Sequence, residues 1–228
     1  MEIGEIRGKL IHCNGIVECV EPDEEGYKEE NGIDFESFKN IFFKDYNLTY
    51  ILELALEFGI HFHIATHTIR TNTCKEKAKI TRLPLERVIK GFYVWDNKTE
   101  NVYGLVIPGD RTYVKSKVAE AVGINNDESE TRIEKSEWLP EYIEYGTVHP
   151  FINTESFSPN GKLELILFDR NFLRKRNEEG GLDDFSFTTH PSTGYDNHRL
   201  SIQINYYDAF KILTSKFSER KVKGVDLF

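Results

Sequence analysis

Three cysteines in 228 residues are too few for a disulfide framework, and Cys13, Cys19 and Cys74 show no metal-type pairing. That fits a reducing compartment. No apolar run is long enough to cross a bilayer. The opening MEIGEIRGKL lacks the apolar segment of a secretory signal, so the expected location is the cytoplasm, with no membrane partner. There is no internal repeat, no low-complexity tract and no G-x-S-x-G nucleophile elbow. Basic residues are also in deficit, 29 Lys and Arg against 38 Asp and Glu, for a formal net charge of −9. Such a balance argues against sequence-blind binding of nucleic acid.

The distribution of charge weakens that last exclusion. Glu18 to Glu36 holds nine acidic residues and one lysine, whereas Arg70 to Lys90 holds seven basic and two acidic ones. A local positive patch on an acidic protein can still engage a phosphate backbone at one place. The length permits one or two domains, and residues 1–45 read as an N-terminal extension attached to a main domain over 46–228. In the extension, Asn14-Gly15 between two β-prone runs suggests a hairpin, followed by a solvated acidic loop.

The chain is organised around Lys79 to Gly123. A strand over Arg87 to Trp95, a polar turn, a second strand, a Pro-Gly-Asp turn and a helix closed by Gly123 follow in order. Alternation sets Val88, Phe92 and Val94 on one side of the first strand, and Lys90 shares their parity. An ammonium there is costly unless it faces a cleft or finds an anionic partner. The bland alternative is a lysine that snorkels to the surface.

Upstream, Asn47 to Gly59 carries an apolar stripe at helical spacing, and Ile60 to Thr66 reads as a strand. His67 is a polar group at that strand's end, where ligands are commonly met. Thr73 is placed to cap a short helix through Ala78, expected on the surface because charged residues follow it. His61, His63 and His67 invite a metal reading, but no carboxylate or cysteine is placed to complete a site, so no metal is expected.

Downstream, Ser136 is placed to cap a helix holding Trp138, Leu139, Tyr142 and Ile143. Gly146-Thr147-Val148-His149-Pro150 follows. A Gly-x-x-x-Pro loop suits close approach of backbone N–H groups to a ligand, or is simply a helix-to-strand connection. Lys162 to Asp169 reads as a strand ending in an acid, Phe185 to Thr189 and Arg199 to Ile204 as two more, and Tyr206 to Phe217 as the last helix. Strands with helices inserted between them indicate an α+β fold with a mixed sheet.

These pieces together resemble the YbaK/ProX aminoacyl-tRNA editing domains, related to the insertion domain of bacterial prolyl-tRNA synthetase. The resemblance is carried by RVIKGFYVW with its lysine, by the IPGDR turn and following helix, and by the Gly146-to-Pro150 loop before Phe151. FDRNFL, and the helix–strand unit from Asn47 to His67 followed by Thr73, add to it. It spans residues 45 to 215 in order, with Thr147 where the family often has a second glycine.

What the resemblance implies is a mixed, partly barrel-like sheet with helices packed around it, and hydrolytic deacylation of mischarged aminoacyl-tRNA in trans. Lys90 would hold the terminal phosphate or ribose, and backbone N–H groups from Gly146 to His149 the ester carbonyl or amino group, with Pro150 closing the loop. A lysine ammonium is a poor base at neutral pH, so proton abstraction would fall to substrate groups such as the free ribose hydroxyl. His67, Thr73 and Asp169 would line the substrate site, although Asp169 equally suits a local turn. Arg70, Lys75, Lys79, Arg82 and Arg87 would contact the acceptor stem. The implied partners are aminoacyl-tRNA and an aminoacyl-tRNA synthetase, without a cofactor. A non-catalytic module binding tRNA or a synthetase on the same scaffold is the alternative.

Overall fold

A computed structural model describes residues 17–21, 28–30, 57–58, 62–67, 73–81, 83–140, 143, 148–151, 162–170, 184–187, 200–217 and 221–228. Its strands are β1 (Val17–Glu21), β2 (Lys28–Glu30), β3 (Phe62–His67), β4 (Ile89–Asp96), β5 (Val102–Pro108), β6 (Ile133–Lys135), β7 (Leu163–Asp169), β8 (Asp184–Phe187), β9 (Leu200–Asn205) and β10 (Val222–Val225). The helices are α1 (Cys74–Thr81), α2 (Lys115–Val122), α3 (Ser129–Arg132) and α4 (Tyr206–Phe217). They form the expected α+β fold, with helices around mixed sheets. Among the described residues the strands make two open five-stranded sheets rather than a closed barrel.

Among the described residues a buried core lies on the sheet ordered β10-β7-β5-β4-β6. β5 lies at its centre and all seven of its residues are buried, as a near-continuous apolar run requires. β4 pairs antiparallel with β5 and β6, whereas β7 runs parallel to β5 and to β10. On one face Val94, Leu105, Ile107, Leu165 and Leu167 pack with Val118 and Ala119 of α2. On the other, the Phe168 ring meets Phe210 of α4 edge-on at 5.7 Å. Two helices thus cover the two faces of one sheet, as alternation along each strand dictates.

Gly123 closes α2 in the left-handed region at φ 77°, where it caps the helix through the Ala119 and Glu120 carbonyls. The second sheet is ordered β2-β1-β3-β9-β8, and β8 lies beside β4. β1 pairs antiparallel with β2 and parallel with β3, so strands from the 1–45 segment share a sheet with β3 and β9. The expected hairpin turn at Asn14-Gly15 and nearly all of the expected helix from Asn47 to Gly59 lie outside the described residues.

One local expectation is overturned. Residues 136–140 form no helix: the Ser136 hydroxyl instead accepts the Trp138 amide at 3.1 Å, and the Ser136 amide donates to the Tyr93 carbonyl at 2.9 Å. The segment is tied to the β4 edge, with Trp138 edge-on to Tyr93 at 5.2 Å, and that tertiary attachment outweighs the helix-start pattern.

Candidate active site

A cavity of about 750 Å³ opens between α1, the first half of β4, the turn after β5 and Val148. Lys90 lines it, and so do Phe92 on the same side of the strand and Thr73 at the start of α1. The alternation that set Lys90 among apolar neighbours therefore delivers it to a cleft. Its Nζ donates to the Arg111 carbonyl at 3.0 Å. Arg111 follows the Pro108-Gly109-Asp110 turn, which closes through its own amide onto the Pro108 carbonyl at 3.1 Å.

That turn is anchored from behind. The Val114 amide donates to the Leu227 carbonyl at 2.8 Å, and the Arg111 guanidinium lies 5.0 Å above the Phe228 ring. The Leu227 amide in turn donates to Asp169 Oδ2 at 3.0 Å. Asp169 is fully buried and does not line the cavity. Of its two sequence readings, the geometry is that of the local structural one, a carboxylate fixing the segment that holds the Lys90 turn.

Gly91 brings the proline-bounded loop against β4. A Cβ at Gly91 would collide with the Val148 carbonyl oxygen and come within 2.9 Å of its carbonyl carbon, so the backbones approach as only glycine allows. Lys90 and Val148 are thus neighbours across this strand and share one hollow. His149 and Pro150 are buried behind Val148, while Gly146 and Thr147 lie outside the described residues.

Thr73 and Glu76 form a capping box at the start of α1: the Glu76 amide donates to Thr73 Oγ1 at 3.2 Å and the Thr73 amide to Glu76 Oε2 at 2.9 Å. α1 was expected on the surface, and Lys75, Glu76 and Lys79 are indeed exposed. Lys77 is not: it is 3% exposed and lines the cavity. Burial pulls its pKa down to about 7, with nearby Cys74 acting against the shift. Cys74 also lines the cavity, and burial pushes its thiol up against the pull of Lys90 and Lys77, so the thiol stays protonated at neutral pH. Neither residue is marked out by the sequence pattern.

Among the described residues four lysines (75, 77, 90 and 135) and one carboxylate, Asp110, border the cavity. Phe92 and Tyr113, with ring centroids 5.2 Å apart, give it an aromatic wall. Cationic edges with an aromatic side suit an anionic ligand that carries a flat ring. Of the other basic candidates, Lys79 is exposed on α1, Arg87 is half-buried beside β4, and Arg70 and Arg82 lie outside the described residues. His67 closes β3 in the second sheet, its backbone opposite Val20. His63 stands on its parity opposite Gln203, and His61 lies outside the described residues.

Solved structures share this architecture. The hypothetical protein APE2540 aligns with a TM-score of 0.52 at 18% identity, over 77% of this chain and 98% of its own. A proposed trans-editing enzyme for prolyl-tRNA synthetase aligns with a TM-score of 0.51 at 15% identity, over 80% of this chain and 98% of its own. The likeness shows the fold alone. No family model matches the sequence, and no curated protein matches it. What the cavity does must be argued from its own residues.

Proposed function

We propose that this protein is an aminoacyl-tRNA deacylase acting in trans, hydrolysing the ester that joins a wrong amino acid to the tRNA 3′ end. The observation that carries the reading is the meeting of Lys90 and Val148 in one cationic, aromatic-walled cavity. An aminoacyl ester is already an activated acyl group, so positioning a water and stabilising the oxyanion can suffice. Lys90 would bind the phosphate or ribose of the 3′ end, and backbone N–H groups from Gly146 to His149 would face the carbonyl. Lys75 at the cavity rim and Lys79 outside it would extend that contact along the acceptor stem. The acidic remainder of the protein would confine nucleic acid to this one patch.

Such an enzyme answers a limit of synthetase selectivity. A missing methylene is worth only about 1–3 kcal/mol in a pocket, so smaller amino acids are admitted and must be removed afterwards. Likeness to the proposed trans-editing enzyme supports the reading at the level of fold.

Purified protein incubated with a panel of aminoacyl-tRNAs, including alanyl- and cysteinyl-tRNA(Pro), is expected to release free amino acid, and Lys90→Ala to abolish release. Gel-shift binding of tRNA without deacylation would instead select the binding-module alternative. Equal rates for wild type and Lys90→Ala would remove the lysine from the mechanism.

A further inference from the structure

Beside the half-buried Lys90 the cavity is lined by a buried lysine, Lys77, for which the proposed deacylation has so far no use. We propose that Lys77 is the cavity's proton acceptor: its amine takes a proton from the water that attacks the aminoacyl ester and returns it to the departing ribose oxygen. This step rests on the ester-hydrolysis reading above. The water oxygen bonds to the acyl carbon and the bond from that carbon to the ribose oxygen breaks. Lys77 passes from amine to ammonium and back as it gives the proton to the ribose oxygen. The carboxylic acid that forms loses its remaining proton to solvent.

Geometry selects Lys77 among the basic groups nearby. Lys75, Lys79 and Lys135 are exposed and Lys90 is half-buried, whereas Lys77 is 3% exposed. Lys77 is held at a fixed place on a helix whose start is locked by the Thr73–Glu76 capping box, and it borders the same hollow as Lys90 and Val148. Its surroundings make the amine suitable as well as near. Burial brings it to about 7, and a general base works best when its pKa lies near the working pH. Cys74, one helical turn before it, is a protonated thiol at that pH and does not compete.

Other charged or titratable groups line the same cavity. On α1 these are Cys74 and Lys75; from β4, Lys90 and Tyr93; from the turn after β5, Asp110 and Tyr113; from β6, Lys135. Glu86 and Arg87 sit on the 3-10 turn Leu85–Arg87, which packs against α1. Lys90 and Lys135 oppose a second positive charge in this space, and Asp110 favours one.

The test is the pH dependence of single-turnover deacylation on the substrate that the panel identifies. Wild type is expected to gain tenfold per pH unit below about 7 and then level off. Lys77→Met and Lys77→Arg, which remove the amine and keep it protonated, are each expected to lose about 100-fold at pH 7.5 and to lose the break. Thermal unfolding of both variants checks that they fold. An unchanged rate and profile in the variants would overturn the role of Lys77 while leaving the hydrolase reading intact. A wild type inactive at every pH would overturn both. If neither variant folds, the wild type decides: brief pulses of acetic anhydride across pH 6–11, read by peptide mass spectrometry, should half-label Lys77 near pH 7. A midpoint near 10 would overturn the assignment.

Discussion

The two ends of β4 handle buried charge in opposite ways. At its far end Asp96, 1% exposed, accepts from Arg132 Nε at 2.9 Å, from Arg132 Nη2, from the Thr99 hydroxyl at 2.7 Å and from the Lys98 amide at 3.1 Å. Arg132 also donates to Glu128 at 2.7 Å. The Arg132 hydrogen bond is the chief reason that the Asp96 carboxyl falls to about 2. Near the other end, beside Lys90, burial acts on Lys77 as the leading influence and drives its amine toward neutrality. A charge surrounded by complementary groups fixes structure, whereas one governed by desolvation becomes a proton carrier at working pH.

Breaking the satisfied end should have the largest effect. Arg132→Met leaves a buried carboxylate short of its main partner and should cost about 3 kcal/mol, read by urea unfolding at pH 7. The wild type owes Asp96 about 2 kcal/mol of stability above the ordinary carboxyl range. Because the folded value is depressed, that contribution is present above pH 4 and is lost as pH falls through about 2. Arg132→Met should flatten this acid limb. If the acid limb is unchanged, the pair does not set the Asp96 carboxyl.

The approach of the loop to β4 comes next. Gly91→Ala should cost about 2 kcal/mol through overpacking against Val148 and should lower deacylation at least tenfold. Retention of both stability and rate would mean that the close seat of Val148 on Gly91 is not needed.

The desolvated end makes a prediction of opposite sign. Lys77→Met should be more stable than wild type at pH 6 by about 2 kcal/mol, because it removes a buried ammonium. Since the folded amine titrates at about 7, below its unfolded value, wild-type stability should rise with pH from 7 toward 10. The gap between wild type and Lys77→Met should close over that window. A constant gap would place the Lys77 amine in water.

The smallest effect concerns the helix that follows. Gly123→Ala, forced into a left-handed backbone with no side chain in the way, should cost about 1 kcal/mol in thermal unfolding. Activity should be unaffected, which separates the sheet's support from its site.

Legibility in the sequence followed periodicity. β4, β5, β7 and α4 are long enough for alternation or helical spacing to declare them, and Gly123 marks its helix end by type. β6 and β10 are three- and four-residue edges, IEK and VKGV, with too few positions to show a period and partners far along the chain. Lys90 was legible because a strand lysine violates a pattern around it. Lys77 was not, since CKEKAKIT is charged throughout and reads as a solvated face. Its burial comes from the way α1 packs over the cavity, which no local window contains. Gly91 follows the same rule: its neighbour Val148 is distant in the chain, and only their contact explains the glycine.

The position of the scissile acyl group decides between these readings. A crystal structure with 3′-alanylamido-3′-deoxyadenosine, a stable amide in place of the ester, addresses this most directly. The acyl carbon is expected between the Val148 backbone and Lys77, with the ribose beside Lys90. An analogue bound outside this cavity, with Lys90 and Val148 untouched, would contradict this placement.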